Sequence, residues 1–533
     1  MKSISTSIYT FEELIKYNCL YIDKTEYIYK LISAPKGQFF MARPRRFGKS
    51  LTVSTLDAVF RGKKALFEGL YIYDAAYDWE EYPIIHLDFG RIVMKDIDEL
   101  NQNILEMLSR MAVDYGIELS SEDAASAFEK LIYSINRKFD KGVVLLIDEY
   151  DKPILDHMKT PEEAEKYRSY MDSFYQVIKG SEAMLRFVFM TGVTKFAKVS
   201  VFSKLNNIED ISMREDYADM LGYTDDELVS YFSEYINDAV DRLGVTRDKL
   251  LNEIKSWYDG FRFYDTASSV YNPVSIGMFI NGGYRFKSYW FSTGTPTFLI
   301  EMLKKNHLVQ LDFENVNISE SSFDTFDVAR LAGSKVTADD MIQLLYQTGY
   351  LTIDKLVRSS PTITYRLRFP NREVSYAFSE NLANAYVEGK GIVSSYVTSL
   401  LDAVDAGDTE AFIEVLKDFF AALPYDIHIR EEKYYQSMVY VICKLSGMDI
   451  VTEVKTNIGR IDAVLRGVGH TYIIEFKLNK SADEALEQID EKKYTEGFIL
   501  PACDRGDAIH KLGINFCYSE GVRNITDWRE EII

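Results

Sequence analysis

The chain is 533 residues long, 47% hydrophobic and 27% charged, with only 11 prolines. That composition excludes a disordered chain and supplies apolar material for several domains. The formal net charge of −21 excludes a protein coated in nucleic acid by bulk charge, though not one with a local basic groove.

Four cysteines, Cys19, Cys443, Cys503 and Cys517, are scattered without CxxC pairing, which argues against structural zinc and a disulfide framework. Met1–Phe11 has no apolar signal core, and no run of about 18 apolar residues offers a membrane span. The expectation is a soluble protein of the reducing cytoplasm with no membrane partner.

In chain order, Gly37–Met41 reads as a strand, Ser50–Phe60 as a helix and Pro83–Phe89 as a strand. Helices follow near Asp96–Asp114 and Glu122–Phe139, then a strand at Val143–Ile147, a helix at Pro161–Ile178 and a strand at Leu185–Met190. Alternating strands and helices predict a parallel sheet covered on both faces. Beyond Thr224 the rhythm is helical, with amphipathic stretches at Asp225–Leu243 and Thr246–Trp257, turns at Gly282-Gly283 and Ser292-Thr293-Gly294, and a short strand pair near Leu351–Ile353 and Ile363–Leu367. After Pro424 a helix at Glu431–Leu445, strands at Ile450–Val454, Arg460–Leu465 and Tyr472–Phe476, a helix at Ala482–Ile489 and a strand at Gly497–Leu500 predict a small α/β domain. The division is 1–222, a P-loop domain; 223–423, a mainly helical middle region; and 424–533, the C-terminal α/β domain.

Arg43-Pro44-Arg45-Arg46-Phe47-Gly48-Lys49-Ser50 ends in the GKS of a phosphate-binding loop, between a strand and a helix as that motif requires. Free backbone N–H groups at the helix start face an anion. Arg46, Phe47, Gly48, Lys49, Ser50 and Leu51 are the expected ATP-binding residues. Gly48 admits the phosphates, Lys49 bridges the terminal ones and the Ser50 hydroxyl ligates magnesium. Arg43 stands where the motif wants glycine. The competing reading is a basic loop leading into a helix.

About 100 residues on, Val143–Glu149 is an apolar strand ending in two acids: Asp148 to hold magnesium through water and Glu149 to polarise the attacking water. Thr191 ends the strand Phe187–Gly192 and is a candidate γ-phosphate sensor; an ordinary strand end is the alternative. Arg262 and Arg214 are candidates for an arginine finger.

Near the C-terminus, Asp462 in Gly459–Val464 precedes Ile473-Ile474-Glu475-Phe476-Lys477. Glu475 and Lys477 are two apart and share a strand face. Two carboxylates and a lysine on one face can hold Mg²⁺ or Mn²⁺ and position water. Asp462 and Glu475 are the expected metal ligands, and Lys477 the catalytic cation. Gln488, and less directly Tyr435 or Gln436, could line the same site. Lys455, Arg460, Arg466 and Lys480 are candidate phosphate contacts or a solvated face. The alternative is a surface hairpin of alternating charges.

Together with Tyr21–Thr25, Leu146–Asp151, Thr191–Phe196, Phe202–Asn207, Tyr258–Phe263 and Phe291–Gly294, these segments resemble bacterial AAA-ATPase-like proteins with a C-terminal PD-(D/E)xK nuclease-like domain. Their loop also reads RPRRFGKS. The resemblance spans nearly the whole chain and implies a P-loop ATPase sheet, a helical middle region and a restriction-endonuclease-like α/β domain. It further implies ATP and Mg as cofactors (Mn possible at the C-terminal site), a nucleic-acid partner, DNA rather than RNA, and ATP gating of the nuclease. The alternatives are a nucleotide-switch interaction protein with a silent nuclease fold, and a small-molecule NTPase.

Overall fold

The structure, a computed structural model, describes residues 1–92, 94–158, 160–195, 207–290, 299–300, 302–303, 316–323, 336–386, 392–423, 428, 430–519 and 521–533. Phe196, most of the Phe202–Asn207 motif and Phe291–Gly294, with its turn cluster, lie outside the described residues. The chain forms two compact units, one of residues 1–290 with 315–372, the other of 291–314 with 373–533.

The first unit is built on a sheet of β1 (Gly37–Ala42), β2 (Ile84–Asp88), β3 (Val143–Asp148), β4 (Leu185–Gly192) and the short β5 (Glu209–Asp210). Their order is β2-β3-β4-β1-β5, and all the pairings are parallel. Every residue of β3 is buried, as a strand covered on both faces requires. Helices with aspartate or threonine caps connect the strands: Asp96 caps Ile97–Asp114, Asp123 caps Ala124–Phe139 and Thr160 caps Pro161–Gly180. The second of these buries Ala124, Ala127, Phe128, Leu131, Ile132 and Ile135, one helical face.

The helix expected over 225–243 is two, Asp225–Tyr231 and Ser233–Leu243. They meet at Phe232, which leaves helical geometry (φ −106°, ψ 14°) and is buried with Tyr235, Ile236 and Phe279. Burial of the ring thus outweighs helix continuity. The expected strand pair carries a third strand: β6 (Val316–Ser319), β7 (Thr352–Arg358) and β8 (Thr364–Arg368) form an antiparallel sheet ordered β6-β8-β7.

In the second unit, helices Ile392–Asp405 and Thr409–Ala421 precede Glu432–Leu445 and a sheet ordered β13-β12-β11-β10-β9. Its strands are β9 (Asp449–Lys455), β10 (Arg460–Gly467), β11 (His470–Leu478), β12 (Ala508–Ser519) and β13 (Val522–Ile532). All pairs are antiparallel except β11–β12, which needs the crossover supplied by Ala482–Glu491 and Glu496–Arg505. The strand expected at Gly497–Leu500 is part of the latter helix, and the two strands beyond it, β12 and β13, were not expected. Phe498-Ile499-Leu500 is too short a run for periodicity to separate strand from helix, and Leu500 is exposed. Among the described residues no helix is long and apolar enough to cross a membrane.

Candidate functional site

β1 ends at Ala42 and the helix Lys49–Phe60 begins seven residues later. Between them Arg46 (φ 68°) and Gly48 (φ 94°) take left-handed backbone conformations. Nothing lies within 4 Å of where a Cβ on Gly48 would sit, so it is the backbone angle, not crowding, that calls for glycine. Gly48 caps the helix without a side chain, and the first turn holds no acid. The N–H groups there therefore keep their positive field for an anion.

Lys49 is buried, and its ammonium donates to the carbonyls of Arg43 and Pro44, both at 2.9 Å. Burial lowers its proton affinity; the charges of Asp148, Asp151 and Glu149 oppose that. At the end of β3 the Ser50 hydroxyl lies close enough to the buried Asp148 to favour its charged form, so the loop hydroxyl and the strand acid meet. Burial raises the Asp148 carboxyl, and also that of Glu149, where the charge of Asp148 adds to the effect.

Two residues of this site were not foreseen. Asp88 ends β2 in register with Asp148, accepts the Gly90 N–H at 2.9 Å and pairs with Arg91 at 2.7 Å. A Cβ on Gly90 would stand 2.9 Å from Asp88 Oδ1 and from Glu149 Oε2, so glycine there makes room for the carboxylates. The available signal was an acid at the end of the strand Pro83–Phe89, followed by glycine.

Other expected residues have different work. Thr191 is fully buried on β4, between β1 and β3, and its hydroxyl donates to Met41 O at 2.8 Å. Asp151 Oδ2 accepts from Val193 N, Thr194 N and the Thr194 hydroxyl, bracing the chain after β4. Arg214 is ion-paired with Glu209 and Asp216, and Arg262 donates to Asp354 O at 2.8 Å. Those partners hold both guanidinium groups in structural contacts. Asp23 of the Tyr21–Thr25 motif accepts from Thr25 and Tyr71, and Lys24 bonds Asp219 O and Glu227, so this motif is a structural joint.

Arg43, in the place of the missing glycine, is 1% exposed. Its guanidinium donates to Ser212 O (2.7 Å), Tyr217 O (3.1 Å) and Ala42 O (3.0 Å) and lies 4.0 Å above the Phe263 ring. Phe47 is buried edge-on to Phe261 and Phe263, at 4.9 and 5.5 Å. The loop is thus fastened at both ends by buried side chains packed into the protein. Leu51, in the first helical turn, accepts the Thr55 hydroxyl through its carbonyl.

In the second unit the β10–β11 pairing runs to Ala463–Ile474, and one further step sets Asp462 opposite Glu475. Asp462 Oδ2 accepts the Phe476 N–H at 2.9 Å. Glu475 is 2% exposed and Lys477 6%, which rules out the surface-hairpin alternative. Lys477 Nζ donates to Glu475 Oε1 (3.2 Å), Phe476 O (3.0 Å) and Gln488 Oε1 (2.9 Å); the Gln488 amide donates to the same Glu475 oxygen. Glu475 Oε2 is buried with no hydrogen-bond partner. Burial raises both carboxyls, and the charge of Asp462 raises Glu475 further.

Gln436 supports the site through its amide on Asp462 O (2.7 Å), whereas the Tyr435 ring stacks on Phe516 at 4.5 Å in the core. Glu432, which was not foreseen, accepts the Leu478 N–H at 3.1 Å and adds negative potential at Asp462. Arg460 pairs with Glu453 and Arg466 with Asp449, so neither cation is fully available to a phosphate.

Residues 5–202 match the family described as Predicted AAA-ATPase, and residues 430–528 match a family of the PD-(D/E)XK nuclease superfamily. A protein of Azotobacter chroococcum mcd 1, described as "Uncharacterized protein in vnfD 5'region", is 35% identical over 504 residues, which cover 93% of this chain and 92% of the relative.

Proposed function

Because this chain belongs to the AAA-ATPase-like family and ends in a PD-(D/E)XK nuclease-superfamily domain, we propose that it hydrolyses ATP and carries a metal-dependent nuclease module acting on nucleic acid, DNA rather than RNA, under nucleotide control. The observation that carries the ATPase half is the approach of the Ser50 hydroxyl to the Asp148 carboxyl beneath the loop. A hydroxyl and a carboxylate at one point beside Lys49 are the donor set for magnesium on a nucleotide, and that ion supplies charge neutralisation when bound. Lys49 leaves the Arg43 and Pro44 carbonyls for the terminal phosphates. Glu149 takes a proton from water as the water oxygen bonds to the γ-phosphorus, and the bond to the β-phosphate oxygen breaks. A raised carboxyl is the better proton acceptor.

The nuclease half rests on Glu475 Oε2, a buried carboxylate oxygen left unpaired opposite Asp462. A buried acceptor without a donor is costly, and a divalent cation removes that cost. Asp462 and Glu475 would hold the ion, which activates water when bound; Lys477 would face the charge developing on the phosphate. The second reading, a nucleotide switch with a silent nuclease fold, is favoured by the closed set of bonds that Lys477 and Gln488 make to Glu475. Nicking of supercoiled plasmid with Mn²⁺, with and without ATP, separates the two. Wild type nicks and Glu475→Ala does not if the module is active; no nicking by wild type in any condition leaves the switch reading.

A further inference from the structure

Beyond Lys49 and magnesium, the proposed hydrolysis has no cation assigned to the charge that builds on the transferring phosphate. We infer that the exposed guanidinium of Arg45, presented by the phosphate loop itself, is a catalytic residue of the ATPase reaction and meets the γ-phosphate in the same chain. This inference rests on the ATPase reading and adds a residue to it.

The loop's other candidates are engaged. Arg43 is buried in carbonyls and on Phe263, and Phe47 is sealed between Phe261 and Phe263. Arg46, in its left-handed conformation, has a partner within the protein. Arg214 and Arg262 are held away by their own partners. Arg45 is exposed, and no hydrogen bond or ion pair occupies its guanidinium among the described residues.

Its backbone is nonetheless fixed, because Trp290 Nε1 donates to Arg45 O at 3.0 Å and the Trp290 ring packs on Tyr350 at 5.3 Å. A pinned main chain with a free cationic side chain suits a group that engages only when ligand is present. Arg45 stands four residues before Lys49, on the loop that enters the helix Lys49–Phe60. The positive charge of Arg45 acts on both Lys49 and Glu149, the residues on the terminal phosphates and on the attacking water.

Charge balance favours a further cation. The site gathers Asp88, Asp148 and Glu149 where a polyanionic nucleotide must bind. Lys49 is the buried cation there, and Asp88 already has Arg91. As the bond to the β-phosphate oxygen breaks, negative charge moves onto that oxygen while the γ-oxygens remain charged. A preplaced guanidinium lowers the energy of that arrangement more than that of bound ATP.

The test uses the full chain with wild type, Arg45→Ala and Arg45→Lys. It measures phosphate release, affinity for a non-hydrolysable ATP analogue, and trapping of ADP with aluminium fluoride, which mimics the transferring phosphate. Arg45→Ala should lower kcat by about 100-fold or more, change analogue affinity only a few-fold and abolish trapping, with partial recovery in Arg45→Lys. Because the residue acts within its own chain, wild-type kcat per chain should not vary with protein concentration. Wild-type kcat or trapping in Arg45→Ala overturns the assignment, as does a loss confined to analogue affinity. A wild type that binds no nucleotide overturns the ATPase reading itself, and Arg45 with it.

Discussion

Arg43→Gly restores the residue that a standard phosphate loop carries at this place, and it should weaken the protein. The guanidinium makes two bonds to carbonyls distant in sequence, Ser212 O and Tyr217 O, and one stacking contact with Phe263. Hydrogen bonds from a charged donor contribute about 1.5–3 kcal/mol each, and a desolvated cation–π contact about 2. Burying a guanidinium among carbonyls alone costs several kcal/mol in return. The balance is a net loss of about 3 kcal/mol, in line with other removals of a buried charged partner. For a cooperative unit of about 350 residues this lowers Tm by about 4 °C. Scanning calorimetry of the full chain reads the first unit's transition, and equilibrium binding of an ATP analogue should show weaker, not tighter, affinity. An unchanged Tm together with tighter analogue binding would refute the view that Arg43 frames the loop.

Glu149→Gln should still bind ATP with magnesium while phosphate release falls by about 100-fold or more; release at the wild-type rate would remove Glu149 from the mechanism. Lys49→Ala should fold and lose most ATP affinity, since the loop's buried ammonium is gone; titration with a fluorescent ATP analogue checks this. Mn²⁺ should raise the Tm of wild type and of Lys477→Ala but not of Asp462→Ala or Glu475→Ala, with nicking lost in all three variants; the lysine carries no free lone pair for metal, and ligand linkage requires the carboxylates. Burial pushes the Cys443 thiol up to about 12. The folded value lies above the unfolded one of about 8.5, so its contribution to stability is intact below that pH and is lost as pH rises toward 12. Cys443→Ala should therefore flatten the alkaline decline of Tm. Iodoacetamide at neutral pH should label exposed Cys503 and spare buried Cys443 and Cys19 in the folded chain.

Local chemistry made much of this protein legible from its residues. The apolar strand Val143–Ile147 with its two terminal acids, the GKS helix start and the alternation that puts Glu475 and Lys477 on one face are consequences of backbone period and capping. The structure places each where that period requires. Short apolar runs were ambiguous: Phe498-Ile499-Leu500 was read as strand and forms helix, and β12 and β13 escaped notice because long-range pairing, not local pattern, organises them.

The functions of individual polar groups belonged to the tertiary structure. Thr191 sits between the loop strand and the acid strand as its sequence position suggests, yet the neighbouring Met41 carbonyl takes its hydroxyl. Asp151 and Asp148 are three residues apart and equally acidic on paper, but one braces backbone N–H groups after β4 and the other meets Ser50. Asp88 and Gly90 join the site only because β2 lies in register beside β3. Arg43, Arg45 and Arg46 are indistinguishable in the sequence. Packing against Ser212, Tyr217 and Phe263 buries the first, and the fold leaves the second exposed. A chain's sequence carries the donors and acceptors it has. Which of them are satisfied internally, and so which remain for a ligand, depends on neighbours that only folding brings within hydrogen-bond distance.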